Sequence, residues 1–484
     1  MRNLICGGDV WVEQHARPLS QAVTLIGPQP RGAVREISLA VRPYIQQMKK
    51  EGAKAVLVGF SGGADSTALT VATLDAGMRA GLHVHTLTVD HGVRAESSAE
   101  AERVCAQARQ LGAYAHICHI NMAQEGGPEA AARQGRRAAL IDYAARIHEQ
   151  EGGSCVPIFL GHTLDDQAET VILRLARGSG TGSLRAMDAC RYGKDGVWVR
   201  PFLGVRREII REAVKTLGIP WVEDPSNFPD GPWKTRDGSP LRRAAVRADV
   251  LPLLNRALGQ DVTQALARTA ANAADDDDAL TQWAWHEYRN ALREVRHIGQ
   301  EDFEHMPHIS HMSDLQHDAH SHSGNCERPA LTPHNFSTQP LESAPETHMP
   351  EWDKSGDPSP NTDQPECDCA VQEISDKTYA TGLNLSKNNT YILSVSAVKN
   401  LPYAVLARVV RLFLLEGGAR AGQLSSTHIR QAVDLVKQWH GQGPLHLPGV
   451  VIDRYGKGKK AYLKCGESPV NDLCHASRHG NVAR

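Results

Sequence analysis

Between Ala53 and about Trp221 short apolar runs alternate with longer amphipathic stretches, and this alternation restricts the fold more than any other feature of the chain. AVLVGF precedes a helical run from Thr67 to Met78, and HVHTLTV precedes one from Ala95 to Leu111. AHICHI is followed by a helical stretch from Pro128 to Glu149, and VPIFLG by one from Leu164 to Arg177. Repeated strand-then-helix order predicts an α/β fold, a parallel sheet of Rossmann-like type with helical crossovers. A leading helix is expected over Gly32 to Lys50, where Val34, Ile37, Ala40, Val41, Tyr44, Ile45 and Met48 recur at helical spacing.

The length, 484 residues, exceeds what one core usually fills. We expect an N-terminal extension with a helix over 1–52, a catalytic α/β domain over 53–228, and a smaller, mainly helical second domain from 229–295 and 378–464. A polar insert is expected over 296–377 and a tail over 465–484. The insert is rich in His, Ser, Pro, Asp and Glu and poor in branched apolar residues, too few to offset chain entropy. It holds His305, His308, His311, His317, His320, His322, Cys367 and Cys369, whose irregular spacing reads as a disordered linker more than a metal site. After the insert, LPYAVLARVVRLFLLEGGA and HIRQAVDLVKQWHGQG read as helices and LHLPGVVIDRYGKGKKAYL as strands.

Lys+Arg at 53 against Asp+Glu at 55 gives a net charge of −2, so global charge says nothing about a nucleic-acid partner. No signal-peptide run or membrane-length apolar stretch is present, and the ten cysteines lack disulfide-framework spacing. We therefore expect a cytoplasmic protein with reduced thiols and no membrane association.

The sharpest motif, Phe60-Ser61-Gly62-Gly63-Ala64-Asp65-Ser66, lies between the first apolar run and the helix that follows it. Paired glycines let backbone N–H groups approach a phosphate, the hydroxyls of Ser61 and Ser66 add donors, and the helix adds its positive end. No Lys precedes the last Ser, so phosphate charge falls to backbone, hydroxyls and a metal, for which Asp65 is the evident Mg²⁺ ligand. The bland alternative is a glycine turn in which Asp65 or Ser66 merely caps the helix. The second strand ends in Asp90-His91-Gly92-Val93-Arg94, which places His91 and Arg94 at a carboxyl edge, where parallel sheets hold ligands. The fourth leads into His162-Thr163-Leu164-Asp165-Asp166-Gln167-Ala168-Glu169. One carboxylate there can cap a helix, but three side by side call for a positive partner, a divalent cation or an ammonium group.

SGGADS after a strand resembles the PP-loop ATP pyrophosphatase superfamily, whose members cleave ATP between the α and β phosphates and adenylate an oxygen of their substrate. GHTLDDQAETVILRLARGSGTGSLRAM, then Arg200-Pro201-Phe202-Leu203, then Trp221-Val222-Glu223-Asp224-Pro225-Ser226-Asn227, resemble in order and spacing the motifs of tRNA(Ile)-lysidine synthetases. The likeness is strong from Ala53 to Leu254, and weaker around LPGVVIDR. Ala244 stands where that family usually has Asn, and Thr163 replaces a frequent second His.

The resemblance implies ATP and Mg²⁺ as cofactors, with tRNA(Ile) carrying a CAU anticodon and free L-lysine as partners and a tRNA-binding role for the small domain of 229–295 and 378–464, and it allows a homodimer. Cofactor contacts would come from Ser61, Gly62, Gly63, Ala64, Asp65, Ser66 and His91, metal from Asp65 and Asp166, and catalysis from Asp65, Asp165, Asp166 and Glu169. Substrate contacts would come from His162, Arg174, Arg200, Arg243 and Arg247, within a basic set that also holds Arg206, Arg207, Arg211, Lys234, Arg236 and Arg242 and suits RNA phosphates. A tRNA thiolation enzyme would need cysteine chemistry, and no Cys-x-x-Cys occurs. A GMP-synthetase-like enzyme would need an ammonia source that is not readable here. An inactive tRNA-binding paralogue is opposed by the intact SGGADS and DDQAET.

Overall fold

The computed structural model describes residues 21–92, 97–120, 128–178, 180–223, 229–231, 234–235, 238–297 and 391–467. Arg94, Arg236, Asp224 to Asn227, nearly all of the insert and most of the tail lie outside them. In chain order the elements begin α1 (Gln21–Ile26), α2 (Gly32–Lys50), β1 (Ala55–Gly59), α3 (Ala64–Ala80), β2 (His83–Asp90), α4 (Ser97–Leu111), β3 (Tyr114–His119) and α5 (Pro128–Glu151). They continue with β4 (Ile158–Phe159), α6 (Leu164–Leu175), α7 (Thr181–Leu184), β5 (Cys190–Gly193), β6 (Gly196–Val199), α8 (Arg207–Thr216), α9 (Arg242–Ala245), α10 (Leu251–Leu258) and α11 (Val262–His297). After the insert come β7 (Tyr391–Ser394), α12 (Val395–Val398), α13 (Tyr403–Glu416), α14 (Ser426–Lys437), β8 (Leu445–Leu447), β9 (Val450–Tyr455) and β10 (Tyr462–Glu467).

The first six strands form one sheet in the order β3-β2-β1-β4-β6-β5, parallel except for the edge hairpin β5–β6. Strand β1 is apolar at consecutive positions because both of its faces are covered. Val56 and Val58 join the core built with α2, α3 and α8, while Ala55 and Leu57 join the one beneath α5. Strand order reverses between β1 and β4, so the loops leaving their carboxyl ends flank the cleft where such sheets bind ligands. Gly161, just past β4, lies against the start of α3, where an added Cβ would sit 3.1 Å from the Asp65 carbonyl.

The second unit is an antiparallel sheet, β7-β10-β9-β8, packed against α13 and α14. The strands expected in LHLPGVVIDRYGKGKKAYL are β8 to β10, and β7 was not anticipated. Past residue 228 the chain still packs on the first unit: Val246, Leu251 and Leu266 form a small apolar cluster with Ala168 and Leu173 of α6. The second core draws on α11 only from about Leu280 onward, through Ala284, Tyr288 and Ala291.

Helix α11, 36 residues long, thus enters both cores. Asp277 on it accepts hydrogen bonds from Arg185 beside α7 (2.9 Å) and from Arg408 of α13, and Arg185 also reaches Asp278 and Asp188. Tyr288 of α11 donates to Glu416 at the end of α13. No helix among the described residues is long and apolar enough to cross a membrane. Replacing Asp277 with Ala leaves Arg185 with Asp188 and Asp278 but takes from the half-buried Arg408 its carboxylate partner, and is expected to lower unfolding stability by about 2 kcal/mol, read from urea denaturation; an unchanged midpoint would deny the carboxylate its role as a joint between the domains.

Candidate functional site

The loop from Ser61 to Ser66 is closed by its own hydroxyls. Ser66 Oγ accepts from the Ser61 N–H (3.2 Å), lies 3.2 Å from Ser61 Oγ, and donates to the Gly63 carbonyl (3.0 Å). Gly62 is in the left-handed region (φ 76°), where an added Cβ would lie 2.6 Å from Val104 Cγ2, so only glycine fits. The N-cap of α3 is Gly63, with no side-chain cap, so neither Asp65 nor Ser66 serves as the cap that the bland reading required. The first N–H groups of α3 remain available to an anion. The Val222 N–H donates to the Gly62 carbonyl (2.9 Å), which fastens the Trp221-Val222-Glu223 motif onto the loop.

Across the cleft, Thr163 caps α6 in a reciprocal box: Asp166 Oδ2 accepts from the Thr163 N–H (2.8 Å), and the Asp166 N–H donates to Thr163 Oγ1. Asp165 Oδ2 accepts from the Arg207 N–H (2.8 Å), capping α8 from another segment. Glu169 is wholly buried and held by Arg247 through Nε (2.7 Å) and Nη2 (3.2 Å). The Arg207 guanidinium sits among Asp166 (2.7 Å), Glu169 (3.4 Å) and Asp65 (3.5 Å). The positive partner that the adjacent carboxylates call for is therefore supplied from within the chain.

Burial disfavours the charged form, yet Arg207, the Thr163 N–H and Arg247 hold the Asp166 carboxyl below its usual range. Asp65 goes the other way: burial pushes its carboxyl up to about 6 against the pull of Arg207, and the Asp166 charge adds to the rise. Its Oδ1 is buried with no hydrogen-bond partner. Asp65, Asp166 and Glu169 make direct ion pairs with Arg207 and Arg247 alone, while Arg211 acts on Asp65 from farther off, so Asp65 is the least compensated of the three. An orphaned carboxylate oxygen beside a phosphate-type loop fits a divalent cation. Among the described residues no group of three or more His, Cys, Asp or Glu could hold a metal alone, so the remaining ligands would be phosphate oxygens and water.

Several arginines of the basic set are committed to carboxylates: Arg206 to Asp165 and Asp261, Arg207 and Arg247 to the cluster above, and Arg211 to Glu223. Arg200 and Arg174 are placed differently. Arg200 donates to the Asp188 carbonyl (2.8 Å) while its Nε is buried without a partner, and Arg174 donates to the carbonyls of Ser183 and of Ala186, whose backbone is left-handed (φ 53°). Burial and neighbouring guanidiniums, Arg191 and Arg133 among them for Arg200, push both Arg200 and Arg174 down to about 10. Beside them, burial and Arg200 push the His162 imidazole down to about 3, so it is neutral, and its Nδ1 has no hydrogen-bond partner. Arg243 reaches Thr170 Oγ1 at 3.5 Å, and Ala244 is buried. Lys234 donates to the Pro229 carbonyl, Arg242 is exposed, and His91 lies 3.5 Å from Arg136. Asp90 is structural: burial would raise its carboxyl, but the Gly92 N–H, the hydroxyls of Ser97 and Ser98, and His119 hold it at about 2.

Sheet order, the open helix start and the carboxylate cluster define a PP-loop enzyme, and a PP-loop domain model matches residues 38–254. The TilS substrate binding domain matches residues 393–457. The chain is 34% identical over 408 residues to the tRNA(Ile)-lysidine synthase of Streptomyces coelicolor, covering 84% of each chain. It is 31% identical over 444 residues to that of Salinispora arenicola, covering 91% of this chain and 97% of the relative. For that of Thermobifida fusca the values are 43% over 260 residues, 53% and 73%. The chain belongs to the tRNA(Ile)-lysidine synthase family.

Gly62→Ala is expected to weaken ATP binding by roughly ten-fold or more, measured by titration calorimetry; unaltered affinity would show that the loop does not cradle phosphate. For Asp65 the sign follows from a carboxyl raised from 3.8 to about 6 on folding. The folded protein keeps a proton that the unfolded chain releases, so stability from this group is present at low pH and falls as pH rises between about 4 and 6. Asp65→Asn is expected to raise nucleotide-free stability at neutral pH by about 2 kcal/mol and to flatten that slope, seen in melting curves across pH, while abolishing activity.

Proposed function

We propose that this enzyme joins free L-lysine to C2 of the wobble cytidine of tRNA(Ile) with a CAU anticodon, using ATP with Mg²⁺ and releasing pyrophosphate and AMP. The observation that carries the reading is the open amino end of α3 facing, across the β1/β4 cleft, an acidic cluster whose least compensated carboxylate is Asp65. In the first step the cytidine O2 attacks the α-phosphorus and the bond to pyrophosphate breaks. In the second an amine of lysine attacks C2, AMP leaves with the oxygen, and the amine proton goes to solvent.

The chain's residues divide this work. The N–H groups of Gly62 to Ser66 and the Ser61 hydroxyl receive the phosphates, with donors fixed in advance of the reaction. Asp65 would hold Mg²⁺, which supplies positive charge against the departing pyrophosphate. Asp165, with its side chain 19% exposed, is the carboxylate of the cluster that would meet lysine's ammonium, whereas Asp166, with both oxygens engaged, and Glu169, at 0%, position Arg207 and Arg247. Arg174, Arg200 and Arg243 form an electropositive wall beside the cluster, with the neutral His162 imidazole among them, suited to phosphates of the anticodon loop.

Incubation with ATP, Mg²⁺, radiolabelled lysine and unmodified CAU-anticodon isoleucine tRNA is expected to label the RNA, and to fail with Asp65→Ala or with the wobble cytidine replaced. AMP release without labelling would mean a different nucleophile, and neither product would mean an RNA-binding protein without activity.

A further inference from the structure

The hairpin β9–β10 has a solvent face that the catalytic site does not use. Strand pairing sets Tyr455 opposite Tyr462 and Asp453 opposite Lys464 on that face. The tyrosine rings are stacked, with centroids 5.6 Å apart and planes at 16°, and Tyr455 is 42% exposed. The connecting turn carries Lys457, Lys459 and Lys460, all exposed. From Asp453 to Gly466 the sequence has four lysines and one carboxylate, and Asp453 is already engaged by the Tyr455 hydroxyl and the Arg454 N–H. Arg454 points inward over the Trp439 ring, 4.9 Å from its centroid, and donates to the Leu435 carbonyl.

Two ordinary explanations fall short. Lysines often guard exposed sheet edges, but β9 and β10 are the inner strands of this sheet, where no edge needs guarding. A stacked cross-strand pair stabilises a hairpin, yet that requires neither an exposed outer ring face nor a lysine-rich turn. The backbone of the turn folds back closely on itself: a Cβ on Gly456 (φ 73°) would meet the Lys460 carbonyl at 2.4 Å, and the Ser396 hydroxyl donates to the Lys459 carbonyl. Cations presented from this turn beside an aromatic platform match a polyanion with π faces.

We propose that this face is an RNA contact of the small domain, in which Lys457, Lys459 and Lys464 meet backbone phosphates and Tyr455 stacks against an unpaired base or ribose. The assignment rests on the reading of the chain as a tRNA-modifying enzyme. It is tested on the full chain with unmodified CAU-anticodon isoleucine tRNA, by anisotropy titrations over a series of KCl concentrations and by steady-state kinetics. Lys457→Ala/Lys459→Ala/Lys464→Ala is expected to raise the tRNA Kd and KM on the order of ten-fold and to reduce the slope of log K against log salt by about two. kcat and the KM for ATP are expected to stay at wild-type values. Tyr455→Ala should weaken binding about five-fold or more with little change in salt slope, and Tyr455→Phe should restore it. Wild-type affinity and slope in the triple variant, with tRNA still bound by the parent protein, would overturn the RNA contact and leave an acidic protein as the partner of this face. Failure of the parent protein to bind tRNA would remove the broader reading and this one together.

Discussion

The buried pairing of Asp166 and Glu169 with Arg207 and Arg247 is what the rest of the catalytic domain is built around. Its members come from α6, from the start of α8 and from the segment between α9 and α10, so it joins parts of the chain up to 81 residues apart. Each charge there has lost water, and only the close guanidinium–carboxylate geometry offsets that loss. Removing one partner exposes the others to an uncompensated field. The same cluster places Arg207 beside Asp65, so the loop at the head of α3 and the start of α6 share one electrostatic unit.

The arrangement of the first domain was legible because strand and helix periods differ and repeat. The run at β1, apolar on both faces, and the amphipathic stripe from Val34 to Met48 each admit one element type. The hairpin β5–β6 was not legible: CRYGKDGVWV is short and partly polar, and its stability comes from Asp195 gathering Arg191, Arg137 and Trp198, a convergence that no local pattern reveals. Near 228 the limit is related: turn-rich composition marks a loop but does not say which core the next helix joins.

At the site, the loop and the helix-start carboxylates were readable from residue type and position. The partners of those carboxylates were not, because a run of arginines looks alike whether each meets RNA or an internal acid. Arg247 illustrates this. It sits in a π-helical turn, Val246–Val250, just ahead of Pro252, which has no N–H to offer the Ala248 carbonyl. The widened turn sets the register in which Arg247 meets Glu169, and nothing in the spacing of RRAAVRADVLP announces it.

Helix α11 has one more consequence. At 1.5 Å per residue its 36 residues make a rod of about 54 Å, anchored at one end beneath the acidic cleft and at the other in the sheet that bears the tyrosine pair. A rod held in two cores acts as a caliper. The distance between the acidic cleft and the second sheet is therefore set by covalent helix geometry, and it cannot change without kinking the helix or opening one of the two cores.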